Sequence, residues 1–135
     1  MAVKVLTNAL VTINAIDLST KSNSVTLNYE IDSVEVTAFG GASHKFTGGL
    51  QNNSVEIEML QDFAASLTEA TIYPLVGTTT TLVLRADSGV VSVTNPTYTL
   101  TDCFLAAHTP IAGGVGELMM SSLSFTGGTL VKTTA

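Results

Sequence analysis

SVTLNYEIDSVEVTAFGGASHKFTGGLQNNSVEIEMLQDF, residues 24–63, alternates apolar and polar side chains on both sides of a glycine-studded middle. Val25, Leu27, Tyr29 and Ile31 share one face of an extended segment, with Thr26, Asn28, Glu30 and Asp32 on the other. Beyond the glycines, Val55, Ile57 and Met59 alternate with Ser54, Glu56 and Glu58. A period of two marks a half-buried β-strand, because successive side chains point to opposite sides of a sheet. The polar face of both strands is acidic.

The remainder of the chain extends this β pattern. A first strand is expected over 9–16, a turn or loop over 17–24, and a strand over 24–31. Val34–Phe39 is either a third strand or a continuation past a bulge at Asp32–Ser33. Gly40, Gly41, Gly48 and Gly49 bracket a long loop, 39–53, and a strand follows over 53–60. Further strands are expected at 78–86, 90–94, 97–105 and 118–125, with a turn at Asp87-Ser88-Gly89 and a loop over 112–116. The last residues, 127–135, read as a final strand or a loose arm.

One helix is expected, over 67–76. Ser66 and Glu69 fit a capping box, Leu67, Thr71 and Leu75 would face the sheet, Pro74 shortens the helix, and Gly77 suits its end. Short strands with a single helix predict a mainly β fold. The expected form is a β-sandwich or partly closed barrel with one short α-helix packed on it. The 135 residues suit a single domain with an N-terminal arm, 1–10, and a C-terminal arm, 127–135.

Composition narrows the function. With 45% hydrophobic residues and 12% charged ones, the chain can build a core and does not have a disordered composition. A net charge of −6 with five Lys plus Arg argues against gripping nucleic acid through phosphates. No stretch approaches a membrane span, and the N-terminus lacks the unbroken apolar core of a signal peptide. Cys103, the one cysteine, sits in an alternating run and reads as a small buried hydrophobe, not a nucleophile. Without a disulfide framework, synthesis and assembly are expected in a reducing cell interior.

Catalytic signals are weak. His44 and His108 have no Cys or His at metal-ligand spacing and read as surface histidines. Ser and Asp are too common for their company with a histidine to signify a triad, and no G-x-S-x-G elbow is present. Gly113-Gly114-Val115-Gly116 lacks the P-loop lysine. Asn52-Asn53-Ser54 matches a glycosylation sequon that has no meaning without secretion. Glu56 and Glu58 could serve acid/base chemistry or bind calcium, but a solvated strand face accounts for them more simply. The chain is therefore expected to be no enzyme and to use no cofactor or metal.

Several short motifs, in order, resemble the major tail tube protein of long, non-contractile-tailed phages. They are VTINAIDLS (11–19), SVTLNYE (24–30), VEVTAFG (34–40), GGL (48–50), LQDFAA (60–65), ATIYPLVGT (70–78), NPTYT (95–99) and GEL (116–118). The resemblance implies a structural virion protein whose hexameric rings stack into the hollow tube through which phage DNA is delivered. It implies assembly in the host cytoplasm, residence in the virion tail, and contacts with tape measure, tail tip and tail terminator proteins. Double-stranded DNA would pass through without specific binding, and no membrane is involved.

Within that picture, Glu30, Asp32, Glu56 and Glu58 are candidates for the lumen, where carboxylates deny phosphates a resting place. Phe39, His44, Phe46 and Leu50 are candidates for ring stacking, since apolar residues in a long loop suggest protein docking. The alternative is a β-sandwich decoration or receptor-binding module of a virion. The absence of Trp and the presence of only three Tyr speak against a carbohydrate platform.

Overall fold

A computed structural model describes residues 3–65 and 67–134. Ten strands account for most of it: β1 Leu10–Ile13, β2 Ile16–Asp17, β3 Ser22–Asn28, β4 Ile31–Glu35, β5 Phe46–Gln51, β6 Ser54–Leu60, β7 Thr79–Arg85, β8 Thr97–His108, β9 Met120–Thr126 and β10 Thr129–Thr133. The fold is mainly β and antiparallel, with one short α-helix, and the sheet does not close into a barrel.

The main sheet runs β2-β1-β7-β8-β9-β6-β3, and β10 also pairs with β8. β8 is long enough to serve two halves. Its first residues, Thr97–Thr101, lie between β7 and β10, whereas Phe104–His108 pair with β9. Val11, Ile13, Leu82, Leu84 and Leu100 from the first half meet Val55, Ile57, Met59, Leu123 and Phe125 from the second in one buried cluster. Each set occupies alternate positions of its strand, as a two-layer core requires.

The passage between the halves is a sharp corner. Thr101 pairs with Thr129 and Phe104 with Thr126, so two residues on each side bridge the bend. Three of those four, Asp102, Gly127 and Gly128, have positive φ (58°, 77° and 89°). A Cβ on Gly128 would lie 2.6 Å from the Thr101 carbonyl oxygen, so the two backbones meet where only glycine fits. Cys103 sits fully buried at this corner and donates from Sγ to the Thr80 carbonyl oxygen at 3.2 Å. Burial pushes its thiol up to about 11, which leaves it protonated and unreactive at neutral pH.

Several boundaries differ from expectation. The strand expected at 9–16 breaks after Ile13, where Asn14 and Ala15 take positive φ (50° and 64°) and reverse the chain into β2. Residues 90–94 form turns held by an isolated Ser92–Asn95 bridge. The 97–105 strand extends to His108, and 127–135 contains a true strand, β10, docked on β8. In the N-terminal arm, residues 3–8 lie exposed along the 85–95 turn, where Asn8 bridges to Asp87. The largest correction concerns the expected loop 39–53. Its second half is strand β5, and Gly48 and Gly49 lie within that strand instead of bounding a loop.

The helix is shorter than 67–76. An α-helix, α1, covers Thr68–Ile72, and a 3-10 turn, Tyr73–Leu75, carries Pro74, whose missing N–H ends the α ladder. Ser66, the expected cap, lies outside the described residues. Thr68, Thr71 and Ile72 are the buried positions, with Leu75 packed on the core and Leu67 only half-buried. Gly77 follows with φ 81°, as a helix-terminating residue should.

Replacing Gly128 with Ala is expected to cost at least about 1–3 kcal/mol from the backbone conformation alone, with the carbonyl clash added. Gly127→Ala has the same φ strain but open space around its Cβ, and should cost less. Chemical denaturation of the two variants against the parent checks the order.

Candidate functional site: a projecting arm and an acidic sheet face

β3 and β6 pair along their whole length, and the same ribbon continues outward as β4 and β5. The inner part rests on the core through Val25, Leu27, Val55, Ile57 and Met59. The outer part buries none of its residues: every residue from 29 to 52 is exposed, and its ties to the body are at the root, where Gln51 Oε1 accepts from Leu130 N–H at 3.0 Å. β4 and β5 form their own two-stranded sheet, so residues 31–51 make a free-standing hairpin arm.

Local chemistry holds the arm in shape. Val36 N–H donates to the Lys45 carbonyl (2.8 Å), Lys45 N–H to Thr37 Oγ1 (2.9 Å), and Asn52 N–H to the Glu30 carbonyl (2.8 Å). A bulge lies between Ile31 and Ser33, close to Gly49. A Cβ on Gly49 would come within 3.1 Å of Val34 Cγ2 and 3.2 Å of the Asp32 carbonyl oxygen, so glycine allows the strands to close there.

The stacking candidates all lie on this arm. Phe46 and Leu50 are on β5, Phe39 is fully exposed in the apex connection, and His44 sits nearby. His44 Nδ1 is 3.2 Å from Glu35 Oε1, an exposed pair that contributes little to stability. Ile31, Val34 and Val36 add further exposed apolar surface. A soluble monomer gains nothing from so many exposed apolar side chains on one projection.

The acids divide into two places. On the solvent side of β3-β6-β9, cross-strand rows read Ser24–Glu58–Ser122, Thr26–Glu56–Ser124 and Asn28–Ser54–Thr126. Glu56 and Glu58 thus share one exposed face, each flanked by hydroxyls, and no carboxylate stands opposite another. Hydroxyl neighbours avoid the like-charge repulsion that paired acids would cause. Glu30 joins the edge of this face, where its Oε1 accepts from Asn28 Nδ2 at 2.7 Å. Asp32 lies apart, on β4 of the arm.

His108 is not a surface residue. Its side chain is only 2% exposed, with Nε2 3.0 Å from Glu69 Oε2 and Nδ1 3.0 Å from Ser121 Oγ. Gln61 Nε2 donates to the same Glu69 oxygen (3.0 Å) and to the Pro110 carbonyl (2.7 Å). Glu69 therefore clamps α1 to β8. Ser121 is completely buried, so this Ser–His–Glu line offers no nucleophile to a substrate. Among the described residues no cluster of His, Cys, Asp or Glu could hold a metal ion, and no helix is long and apolar enough to cross a membrane.

The residue that sequence reading missed is Asn53. It is almost fully buried where arm meets body. Its Nδ2 donates to Gln51 Oε1 (2.9 Å) and the Gly128 carbonyl (3.1 Å), and its Oδ1 accepts from Glu30 N–H (3.4 Å). Its own carbonyl accepts from Gly127 N–H at 2.9 Å. One side chain thereby joins both strands at the root of the arm to the sheet corner. Only a second Asn beside it hinted at a special turn, and the partners lie far off in sequence.

No protein-family model matches the chain, and no curated protein matches it in sequence. Solved structures match in fold. A chain of the PVC sheath–tube complex in the extended state, from an extracellular contractile injection system, is similar with TM-score 0.71 at 11% identity, covering 98% of this chain and 92% of that one. A chain of the virion of a native gene transfer agent particle gives 0.71 at 12% identity, covering 93% and 95%. A chain from the tail of an empty gene transfer agent particle, determined with C6 symmetry, gives 0.54 at 15%, covering 85% and 83%. At such identities the likeness establishes the fold. These neighbours come from a sheath–tube complex, a virion and a tail, and none of the three is described as an enzyme.

Replacing Asn53 with Ala removes its bonds to the Glu30 N–H, Gln51 and the Gly128 carbonyl, whose partly exposed groups water can reach, at a cost of about 0.5–1.5 kcal/mol per bond. Hydrogen exchange should then accelerate at arm amides such as Val36 more than in the β7–β8 ladder. Uniform acceleration throughout the chain would show that Asn53 supports the fold at large and not the arm.

Proposed function

We propose that this chain is a structural tail tube subunit that assembles into hexameric rings, stacked to form a hollow tube. The observation that carries the reading is the arm. A fold shared with chains of tube-bearing particles sends out an extended ribbon whose apolar side chains have no partner within the subunit. The ordered sequence marks support the same reading. They resemble non-contractile tails, while the fold neighbours come from a contractile injection system and a gene transfer agent. The proposal is accordingly made for the tube subunit, whichever kind of tail carries it.

In this reading the arm, with Phe39, His44, Phe46 and Leu50, reaches the next ring. Strand β3 is an edge of the main sheet, with one row of backbone groups unpaired. Neighbouring subunits within a ring would pair such edges, which removes the exposed strand that otherwise invites uncontrolled aggregation. The face bearing Glu56 and Glu58, bordered by Glu30, would line the bore, with Asp32 nearer the stacking contact. A wall of carboxylates and hydrated hydroxyls repels phosphate and offers it no cation, so duplex DNA would slide through without being held. Tail tip, terminator and tape measure proteins would meet the ends and the interior of the tube in the virion tail.

Electron microscopy of concentrated protein tests this directly. Rings and tubes are expected for the parent chain. A variant with residues 36–45 replaced by a two-residue turn should keep its fold and form no tubes; tubes of normal length from it would remove the arm from the stacking contact. Ser122→Cys, on the acidic face, gives a specific labelling site because Cys103 is inert. A gold label there should appear in the bore in end-on views, and density on the outer wall would contradict the lumen assignment.

A further inference from the structure

An apolar cavity of about 440 Å³ opens between the two layers at the end of the body away from α1, lined by Leu6, Val25, Leu27, Leu84, Tyr98 and Leu130 among others. It is where the sandwich fails to close. β3 on one side and β7, β8 and β10 on the other leave their apolar side chains facing a gap that the N-terminal segment only partly covers. Leu84, Tyr98 and Lys132 form a cross-strand row on β7, β8 and β10, which puts Lys132 on the same face at the rim.

The surroundings are unusual in charge. Of the chain's five Lys and Arg residues, Arg85 is among the residues lining this opening, Lys132 shares a face with Tyr98, and Lys4 lies two residues from Leu6, beside Asp87 in an adjoining cleft. Arg85 borders it, but its guanidinium turns to the other face of the sheet, donating to Thr97 Oγ1 (2.8 Å) and the Gly89 carbonyl (2.6 Å), so Lys132 is the cation on the cavity side of the row. Lys4 is tied to Asn95 Oδ1 at 3.3 Å, two residues before Leu6.

The complementary surface is on the same molecule. The arm and its root carry Glu30, Asp32 and Glu35, against the single cation Lys45, beside exposed Ile31, Val34, Val36 and Phe39. Tyr29 at the root lines the cavity, but Phe39 at the apex is fully exposed. The apex of the arm therefore does not fill the cavity of its own chain. We infer that this cavity is the receptor for the arm of a second copy, with the apolar side chains of the apex region entering it and the arm's carboxylates meeting Lys132 at the rim. This rests on the tube reading for the arm and names what the arm binds. Apolar contact would supply adhesion, and the charges would select register and orientation.

Disulfide trapping between two differently tagged populations tests it. One carries Phe39→Cys on the arm, the other Leu6→Cys at the cavity mouth, and the buried Cys103 stays silent. Mixed and concentrated under mild oxidant, they should yield the Phe39–Leu6 cross-link in preference to a control pairing with Ser122→Cys on the acidic face. Lys132→Glu in the Leu6→Cys population should lower the yield several-fold, and Glu35→Lys on the arm should restore part of it. Raised salt should lower the parent yield, since exposed charges are screened.

Electron microscopy of the same mixtures separates the two readings. Tubes without a Leu6 cross-link would overturn the receptor assignment, meaning that another segment or protein fills the cavity, and would leave the tube reading standing. The cross-link without tubes would support arm-in-cavity docking and overturn the tube. Neither product would overturn both.

Discussion

A single buried amide decides how this chain is divided. Asn53 stands where the β3–β6 ribbon leaves the core and becomes the arm, and its side chain satisfies groups from three directions: Glu30, Gln51 and Gly128. Without such a junction, a two-stranded ribbon leaving a sandwich would be marginal in water and free to swing. With it, the root of the arm is bonded to the corner at Gly127–Gly128, the most constrained backbone in the molecule. The direction of the arm is thereby set by the core.

That arrangement gives body and arm opposite physical characters. The body has one buried apolar cluster drawn from both layers, although residues such as Val90, Val93, Ile111 and Val115 remain exposed, and Glu69, His108, Ser121 and Gln61 lock the small helix against it through hydrogen bonds. The arm has backbone hydrogen bonds but no core, so its apolar side chains gain nothing until something covers them. The same ribbon that presents Glu56 and Glu58 to solvent over the body carries the exposed apolar side chains of the arm farther out. The acidic face and the arm are thus joined by one pair of strands.

Much of this was legible in the sequence wherever one face of a strand is buried. Val25, Leu27, Val55, Ile57 and Met59 declare their strands through alternation, and Cys103 and Gly77 fall as expected. Legibility failed where that contrast is missing. Phe46–Gln51 is exposed on both faces and contains two glycines, so no period appeared and a strand was read as loop. His108 looked exposed because Glu69 lies 39 residues away and Ser121 lies 13 away, distances at which sequence pattern carries no signal. Asn53 failed for the same reason, since Gly128 lies 75 residues on. The acids were found, but the hydroxyl rows that separate them emerge only from strand register.

Hydrogen exchange measured on the dispersed subunit and again on the assembled particle tests the central claim most directly. The account predicts that backbone amides of residues 31–51 not engaged within the hairpin exchange rapidly in the free subunit and become strongly protected on assembly, while the β7–β8 ladder is slow in both. Arm amides that exchange equally fast in both states would contradict it, because the surface would then have remained uncovered in the very structure it is proposed to build.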